Sequence, residues 1–494
     1  MVAAPDLFLS KKYQRHHPEN NLVYRTVQTY WPLFLQEQKK VGKTFPHFIH
    51  DELEDFLKCG IPEYGFIRTY CYQCQHSGIV PFSCKRRGFC PSCCAKRMNS
   101  EAAHLVDTVL PEIPYRQWVL SFPFKLRYLM ACNQKLTNRA LGIFLQTISS
   151  FQKKKAKKSG LGPCQTGAVQ FIQRFGSALN LNIHSHALLP DGVFVETNEG
   201  YVFSRQSQPT HEELTHLATK IQNKVLKCVE KMGLNEDFQL SFDEEGLGQL
   251  AALSVANKSG FGERAGKSIQ KLGAKRIEFD PEGQDPYSAN VGGFSLNARV
   301  WIAGSDRKKL EQLIRYMARG PLASARLTES TGGQLNYRMK SPWRDGTTHV
   351  SFSPLDFIAR LVALIPPPRM NMVRYSGCFA PNFANRKLIV KKPKDKPNSS
   401  DACNKGLPEK VKQERLRWAE MLKRVFDVDV TICPKCQGRM EQIAVIKDKA
   451  VAKKILESLG EFTTFRPLEV AVDRGPPRTE EIPDFYFDQR DPTW

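Results

Sequence analysis

The chain has 494 residues, enough for about three domains at roughly 150 residues each. A composition of 41% hydrophobic, 10% aromatic and 25% charged residues excludes global disorder and a small disulfide-stapled scaffold. Lys and Arg (72) exceed Asp and Glu (50), giving +22 and a pI of about 9.4. That excess is poor for selective binding of acidic proteins and suits a polyphosphate partner. No membrane partner is expected: the most apolar stretch, 357–365, is interrupted by Arg360 and is far short of the roughly 20 residues of a span. The start, MVAAPDLFLSKKY, lacks a charged region followed by an apolar core, so the expected compartment is the cytoplasm.

Residues 1–60 read as mostly helical, with Phe34, Leu35, Phe45, Phe48, Ile49, Leu53, Phe56 and Leu57 at helical spacing. A cysteine-rich stretch follows, then a helix over about 100–110 with Ser100 as its N-cap. A strand over 117–122 stops at Pro123, and one long basic helix is expected over 125–158. From about 167 the period changes to strands at 169–175 and 180–189. Pro190-Asp191-Gly192 turns the chain into a strand at 193–195. Residues 211–232 read as a helix. A strand is expected over 292–302, where Phe294, Leu296, Ala298, Val300 and Ile302 alternate with polar residues. A helix starts near Ser305, short strands follow at 323–328, 334–340 and 348–353, and a helix covers 354–364. The Lys-, Pro- and Ser-rich stretch 391–412 reads as a linker. A helix near 413–426 and a Pro-rich acidic tail follow, and no internal repeat is visible.

Six of the 14 cysteines fall between 71 and 94. Cys71 and Cys74 form one C-x2-C and Cys90 and Cys93 another, at the spacing of a structural zinc site in which two tight turns complete a tetrahedron of thiolates. His76, Cys84 and Cys94 are surplus, and any could replace a ligand. The bland alternative, small buried residues, does not account for the paired spacing. Lys85, Arg86, Arg87, Lys96 and Arg97 surround the thiolates and would either offset their charge or contact DNA phosphates. A further pair, Cys433 and Cys436, is a half-site without an obvious partner, with Cys378 and Cys403 as distant contributors.

Residues 182–189 read N-I-H-S-H-A-L-L. On a strand, His184 and His186 share a face and present two imidazoles, a start for a divalent metal or simply two exposed histidines. In the helix after Ser305, Leu310, Leu313, Ile314 and Met317 form the apolar stripe. Tyr316 sits on its flank, bracketed by Arg315 and Arg319, where a half-buried packing role is the plain alternative.

Several blocks together resemble one family. F-S-C-K-R-R-G-F-C-P-S-C-C-A-K-R at 82–97, N-I-H-S-H-A-L-L-P-D-G-V-F at 182–194 and R-Y-M-A-R-G-P-L-A at 315–323 are similar to blocks of the rolling-circle insertion-sequence transposases of the IS91 type. So are D-G-T-T-H-V at 345–350, R-L-V-A-L-I-P-P-P-R at 360–369 and F-D-V-D-V-T-I-C-P-K-C-Q-G-R-M at 426–440. These proteins join an N-terminal zinc-binding module to an HUH nuclease domain, and the resemblance runs from about 30 to 445. It implies that Tyr316 is a nucleophile on single-stranded DNA, leaving a 5′-phosphotyrosine and a free 3′-hydroxyl. His184 and His186 would hold Mg²⁺ or Mn²⁺ at the scissile phosphate, and structural Zn²⁺ would sit in the cysteine module. It further implies transposon ends and target DNA as partners, contacts from Arg315 and Arg319, and action at the bacterial nucleoid. Ser185 departs from the hydrophobic residue usual between the histidines, but it points away from the metal face. Only one tyrosine lies on the nucleophile helix, so a second transfer would need another protomer of a homodimer or a 3′-hydroxyl. Gln312 and Gln173 are candidates for a third metal ligand.

The same chemistry would serve a plasmid replication initiator or a relaxase, although no helicase-type G-x4-G-K-[ST] is present. A non-catalytic zinc-stabilised DNA-binding protein would have no use for Tyr316. The expected class is α+β: a helical zinc-binding module at 1–110, an antiparallel-sheet nuclease domain with flanking helices at 111–385, a basic linker at 386–412 and a small C-terminal region at 413–494.

Overall fold

The chain is described by a computed structural model covering residues 17–234, 246–273, 285–343, 345–390, 423–424 and 429–460. The expected linker at 391–412, most of the expected helix near 413–426 and the acidic tail lie outside these residues. Helices α1 (Leu22–Lys40) and α2 (His47–Lys58) lead to the hairpin β1 (Phe66–Tyr70) and β2 (Ser77–Pro81), then to α3 (Pro91–His104). Next come β3 (Tyr115–Ser121), α4 (Phe124–Cys132), α5 (Gln134–Lys158), β4 (Cys164–Gln165), β5 (Gly167–Phe175), β6 (Leu181–Pro190), β7 (Gly192–Thr197) and β8 (Gly200–Arg205). They are followed by α6 (His211–Lys231), α7 (Gly246–Val255), β9 (Gln270–Gly273), β10 (Ser288–Val291), β11 (Phe294–Asn297), β12 (Trp301–Ile302) and α8 (Arg307–Ala318). The rest comprises β13 (Leu327–Glu329), β14 (Leu335–Arg338), β15 (Thr347–Phe352), α9 (Pro354–Leu364), β16 (Val373–Gly377), α10 (Arg386–Ile389), β17 (Glu441–Ile446) and α11 (Lys449–Ser458). Helices and antiparallel sheets are thus mixed along the chain, an α+β architecture.

The central sheet runs β10-β11-β3-β6-β5-β16, with β12 also on β3, and every pairing is antiparallel. Successive side chains on a strand point to opposite faces. On β6, Ile183, Ala187 and Leu189 therefore enter one core with Leu141, Phe144 and Ile148 of α5 and Leu217 and Ile221 of α6. Leu188 enters another with Leu310, Leu313 and Ile314 of α8. A third core joins Val27, Phe34 and Leu53 of the first two helices to Leu250, Val350, Phe357 and Leu361 from much later in the chain. The N-terminal helices thus share a core with α7, α9 and the β13–β15 strands.

Several local expectations shift for identifiable reasons. The helix expected from Ser100 begins at Pro91, because Cys90 takes the cap and a proline is favoured in the first turn. The single helix expected over 125–158 is two, because the Asn133 side chain accepts from the Leu136 N–H and restarts the chain as α5. The strand expected over 292–302 is a hairpin plus a fragment: Gly292 (φ 55°) and Gly293 (φ 80°) form the turn between β10 and β11. The tyrosine helix is capped by Asp306, whose carboxylate accepts from the Lys309 N–H, and not by Ser305.

One buried ion pair locks the edge of β3. Arg116 Nε donates to Asp191 Oδ1 at 2.8 Å, and Arg116 Nη1 donates to the Ala298 carbonyl at 2.9 Å. The side chains are only 4% and 7% exposed. Asp191→Ala strands a buried guanidinium and should cost about 3–5 kcal/mol. Arg205→Ala, which removes the 63% exposed partner of the same carboxylate, should cost at most about 1 kcal/mol. Denaturant midpoints of the two variants against the parent check this ordering.

Candidate functional site

The site forms where α8 crosses the sheet. His186 lies opposite Val119 of β3 and Phe171 of β5, and His184 opposite Ser121 and Gln173. The two imidazole centroids are 5.0 Å apart. The Tyr316 ring meets His186 edge-on at 5.8 Å. The structure therefore brings His184, His186 and Tyr316 together from positions far apart in sequence. Ser185 faces away, its hydroxyl accepting from Gln170 Nε2 at 2.9 Å in the opposite core.

His186 is buried, and its Nε2 makes no hydrogen bond. Gln117 Nε2 lies 2.8 Å from its Nδ1. Burial holds the His186 pKa well below the ordinary value, and His184, Arg319 and Lys340 push it the same way. The imidazole is thus neutral, the form that ligates metals. Gln173, a candidate third ligand, uses its amide nitrogen to brace the tyrosine helix. Its Nε2 donates to the Tyr316 and Met317 carbonyls at 3.2 and 2.9 Å, satisfying two of the open carbonyls at the end of α8. Its Oε1 is buried without a hydrogen bond. Gln312 sits one turn before Tyr316 on the same helix.

Arg319 and Lys340 flank the tyrosine, the guanidinium carbon and the ammonium each 4.6 Å from the ring centroid. Arg319 also lies 5.5 Å from the Phe175 centroid. A cavity of about 380 Å³ opens beside them, lined among others by Met98, Phe175, Arg319, Arg326, Tyr337 and Lys340. Arg315 is paired with Glu311 on its own helix. Among the basic residues of the cysteine module, Arg86 binds Asp55 at 2.6 Å, Arg87 donates to the Met370 carbonyl, and Arg97 donates to the Lys85 and Arg86 carbonyls. Much of this charge therefore braces the module, while Lys85, Arg87 and Lys96 remain exposed.

The cysteines form two clusters, not the single Cys71/Cys74/Cys90/Cys93 site expected. Cys59, Cys84, Cys90 and Cys93 converge in one, and Cys71, Cys74, Cys433 and Cys436 in the other. In each, all four sulfurs lie within 4.8 Å of one another. The reason is topological: the first C-x2-C sits at the tip of the β1–β2 hairpin, β2 then carries the chain away from it, and Cys59 at the end of α2 and Cys84 after β2 sit closer to the N-terminus of α3. Sulfur separations of 3.3 Å for Cys84–Cys93 and 3.7 Å for Cys59–Cys93 and Cys59–Cys90 are near the about 3.8 Å that tetrahedral Zn–S bonds of about 2.3 Å require. Cys94 is instead buried under the exit of α8. A β-carbon added at Gly320 would lie 2.7 Å from its Cβ, so the zinc-module helix and the tyrosine helix meet at a glycine.

Neutral His186 makes stability pH-dependent. An unfolded chain protonates this histidine below about pH 6.5, whereas the fold excludes the proton until a lower pH. Its contribution is therefore complete above pH 6.5 and is lost as pH falls toward the depressed folded value. His186→Gln should flatten that part of the slope, read from denaturant unfolding at pH 7.5 and 5.5.

An IS91-type transposase zinc-binding domain model matches residues 26–122, which include Cys59, Cys71, Cys74, Cys84, Cys90 and Cys93. A second transposase model, Y2_Tnp, matches residues 167–387, which include both histidines and Tyr316. No curated protein and no solved structure matches the chain. The zinc-binding match and the cysteine clusters together support structural zinc. With the two transposase spans in order along one chain, the protein belongs to the IS91-type transposase family.

Proposed function

We propose that this transposase nicks and rejoins single-stranded DNA at transposon ends through Tyr316. The observation that carries the reading is the Tyr316 ring set edge-on to a buried, neutral His186 whose Nε2 has no protein partner. A group so desolvated costs free energy unless something else occupies it. His184 and His186, with the open Oε1 of Gln173 as an oxygen donor, fit a hard divalent cation, Mg²⁺ or Mn²⁺. Bound there, the cation would draw charge from the scissile phosphate as it develops.

In the reaction, the Tyr316 oxygen attacks phosphorus and the P–O3′ bond breaks. The phosphate stays on the 5′ side as a phosphotyrosine ester, and the 3′ oxygen leaves as a hydroxyl. The phenol must lose its proton as the bond to phosphorus forms. The ester keeps the phosphodiester's bond energy, so rejoining needs no nucleotide triphosphate. With a single tyrosine on α8, a second transfer uses a 3′-hydroxyl or the tyrosine of another protomer. Arg319 and Lys340, beside a cavity with aromatic walls, suit a nucleotide strand: cations for phosphate and rings for stacked bases. Gln117 orients His186. For a cation on Nε2 the proton sits on Nδ1, and the Gln117 amide turns its oxygen to accept it.

The test is a covalent adduct. Purified protein with Mn²⁺ and single-stranded oligonucleotides from the element's ends should give a denaturation-resistant band that maps to Tyr316. Tyr316→Phe and EDTA should abolish it, and His184→Ala should reduce it at least 100-fold. Adduct on another residue, or unchanged nicking by Tyr316→Phe, would reject the assignment. DNA binding with no adduct on any strand would favour a non-catalytic binding protein. Separately, Gln117→Leu should weaken Mn²⁺ binding about 10–100-fold, measured by calorimetry.

A further inference from the structure

We infer that Cys71, Cys74, Cys433 and Cys436 form a second zinc site, a ribbon split between distant parts of the chain that anchors the C-terminal region to the N-terminal module. Neither transposase span contains Cys433 or Cys436, and without them the first knuckle holds only two thiolates. The inference does not depend on the tyrosine chemistry.

Three observations carry it. First, the sulfurs converge: Cys71 to Cys436 and Cys74 to Cys433 are both 3.5 Å, within a group spanning at most 4.8 Å. Tetrathiolate zinc brings four sulfurs to such separations.

Second, the two knuckles have the same backbone. In the first, the Cys71 N–H donates to the His76 carbonyl at 2.8 Å, and Gln75 after the second cysteine has φ 58°. In the other, the Cys433 N–H donates to the Gly438 carbonyl at 2.7 Å, and Gln437 after the second cysteine has φ 62°. The Gly438 N–H also reaches Cys436 Sγ at 3.4 Å. A left-handed residue other than glycine is uncommon. Its occurrence at the same step of both knuckles fits two turns shaped to aim thiolates at one ion.

Third, the scaffold is that of a zinc ribbon. Strand β17, just after the second knuckle, pairs antiparallel with β1, just before the first, and β1 pairs with β2. The small core under this sheet is only Phe66, Ile79, Ala452 and Leu456, with Ile446, Ile455 and Leu459 packed against it. So few apolar residues would hold a three-stranded sheet weakly, and small domains of this size usually need a metal. The site closes a span of 359 residues between Cys74 and Cys433, where a metal cross-link removes the most chain entropy. Arg424, just upstream, pairs with Asp107 beyond α3 and with Glu311 on the tyrosine helix. The returning chain is therefore tied to α8 and to the ribbon.

The test counts zinc on the full-length protein. The parent should carry two zinc ions per chain by elemental analysis. Cys433→Ser/Cys436→Ser should carry one and still elute as a folded species, with amide exchange accelerated in Phe66–Tyr70 and unchanged in α1. Co²⁺ titration of the parent should show two equivalents of tetrathiolate absorption, which keeps the count measurable if a variant fails to fold. One zinc in the parent, or two in Cys433→Ser/Cys436→Ser, would overturn the inference.

Discussion

The two-residue period of the central strand governs the molecule. Because β6 is buried on both faces, each side chain is committed to one of two layers. One layer is plain core, closed by α5 and α6. The other carries two imidazoles and must accept α8 with its tyrosine. Shifting the register by one residue would send His184 and His186 into the helix core and Ser185 to the site. The pairings to β3 and β5 forbid that shift, and the Ser185–Gln170 hydrogen bond favours the register seen.

Position on the strand fixes direction but not distance, and the tyrosine has to be held from above. Three contacts do so. Gln173 binds the last carbonyls of α8 from the sheet below. The apolar stripe of α8 packs into the core it shares with β5 and β6. Gly320 lets the chain leaving α8 lie directly on Cys94, one residue past a ligand of the Cys59/Cys84/Cys90/Cys93 cluster. The cysteine module is therefore a wall of the candidate active site as well as a neighbour to it, and Met98 of the same helix lines the adjoining cavity.

Much of this was legible in the residues. Strand alternation located β5 and β6, and the His-x-His pattern put both rings on one face. The leucine stripe of α8 set Tyr316 on a flank. What could not be read was pairing in space. Two C-x2-C motifs at suitable spacing suggest one tetrahedron, but the first sits at the tip of the β1–β2 hairpin, away from the second, and no local pattern marks Cys59 as a ligand. A lone cysteine before a glycine looks like any small buried residue. Gln117 and Lys340 were equally silent, because a glutamine on a strand and a lysine after one have many ordinary uses. Local competition explains the rest. Asp306 caps better placed N–H groups than Ser305, Asn133 divides a continuous helical pattern, and the Gly292-Gly293 pair turns an alternating stretch back on itself.

The split ribbon also has a consequence in time. A ribosome adds about 5–20 residues per second. The Cys71/Cys74 knuckle therefore emerges tens of seconds before the Cys433/Cys436 knuckle, 359 residues later. Throughout that interval β1 has an open edge where β17 will pair, and an open edge recruits other strands. The nascent chain carries an exposed dithiol and a sticky strand until its far end arrives. Successful synthesis then depends on how well the cell shields that intermediate, and not only on the stability of the finished fold.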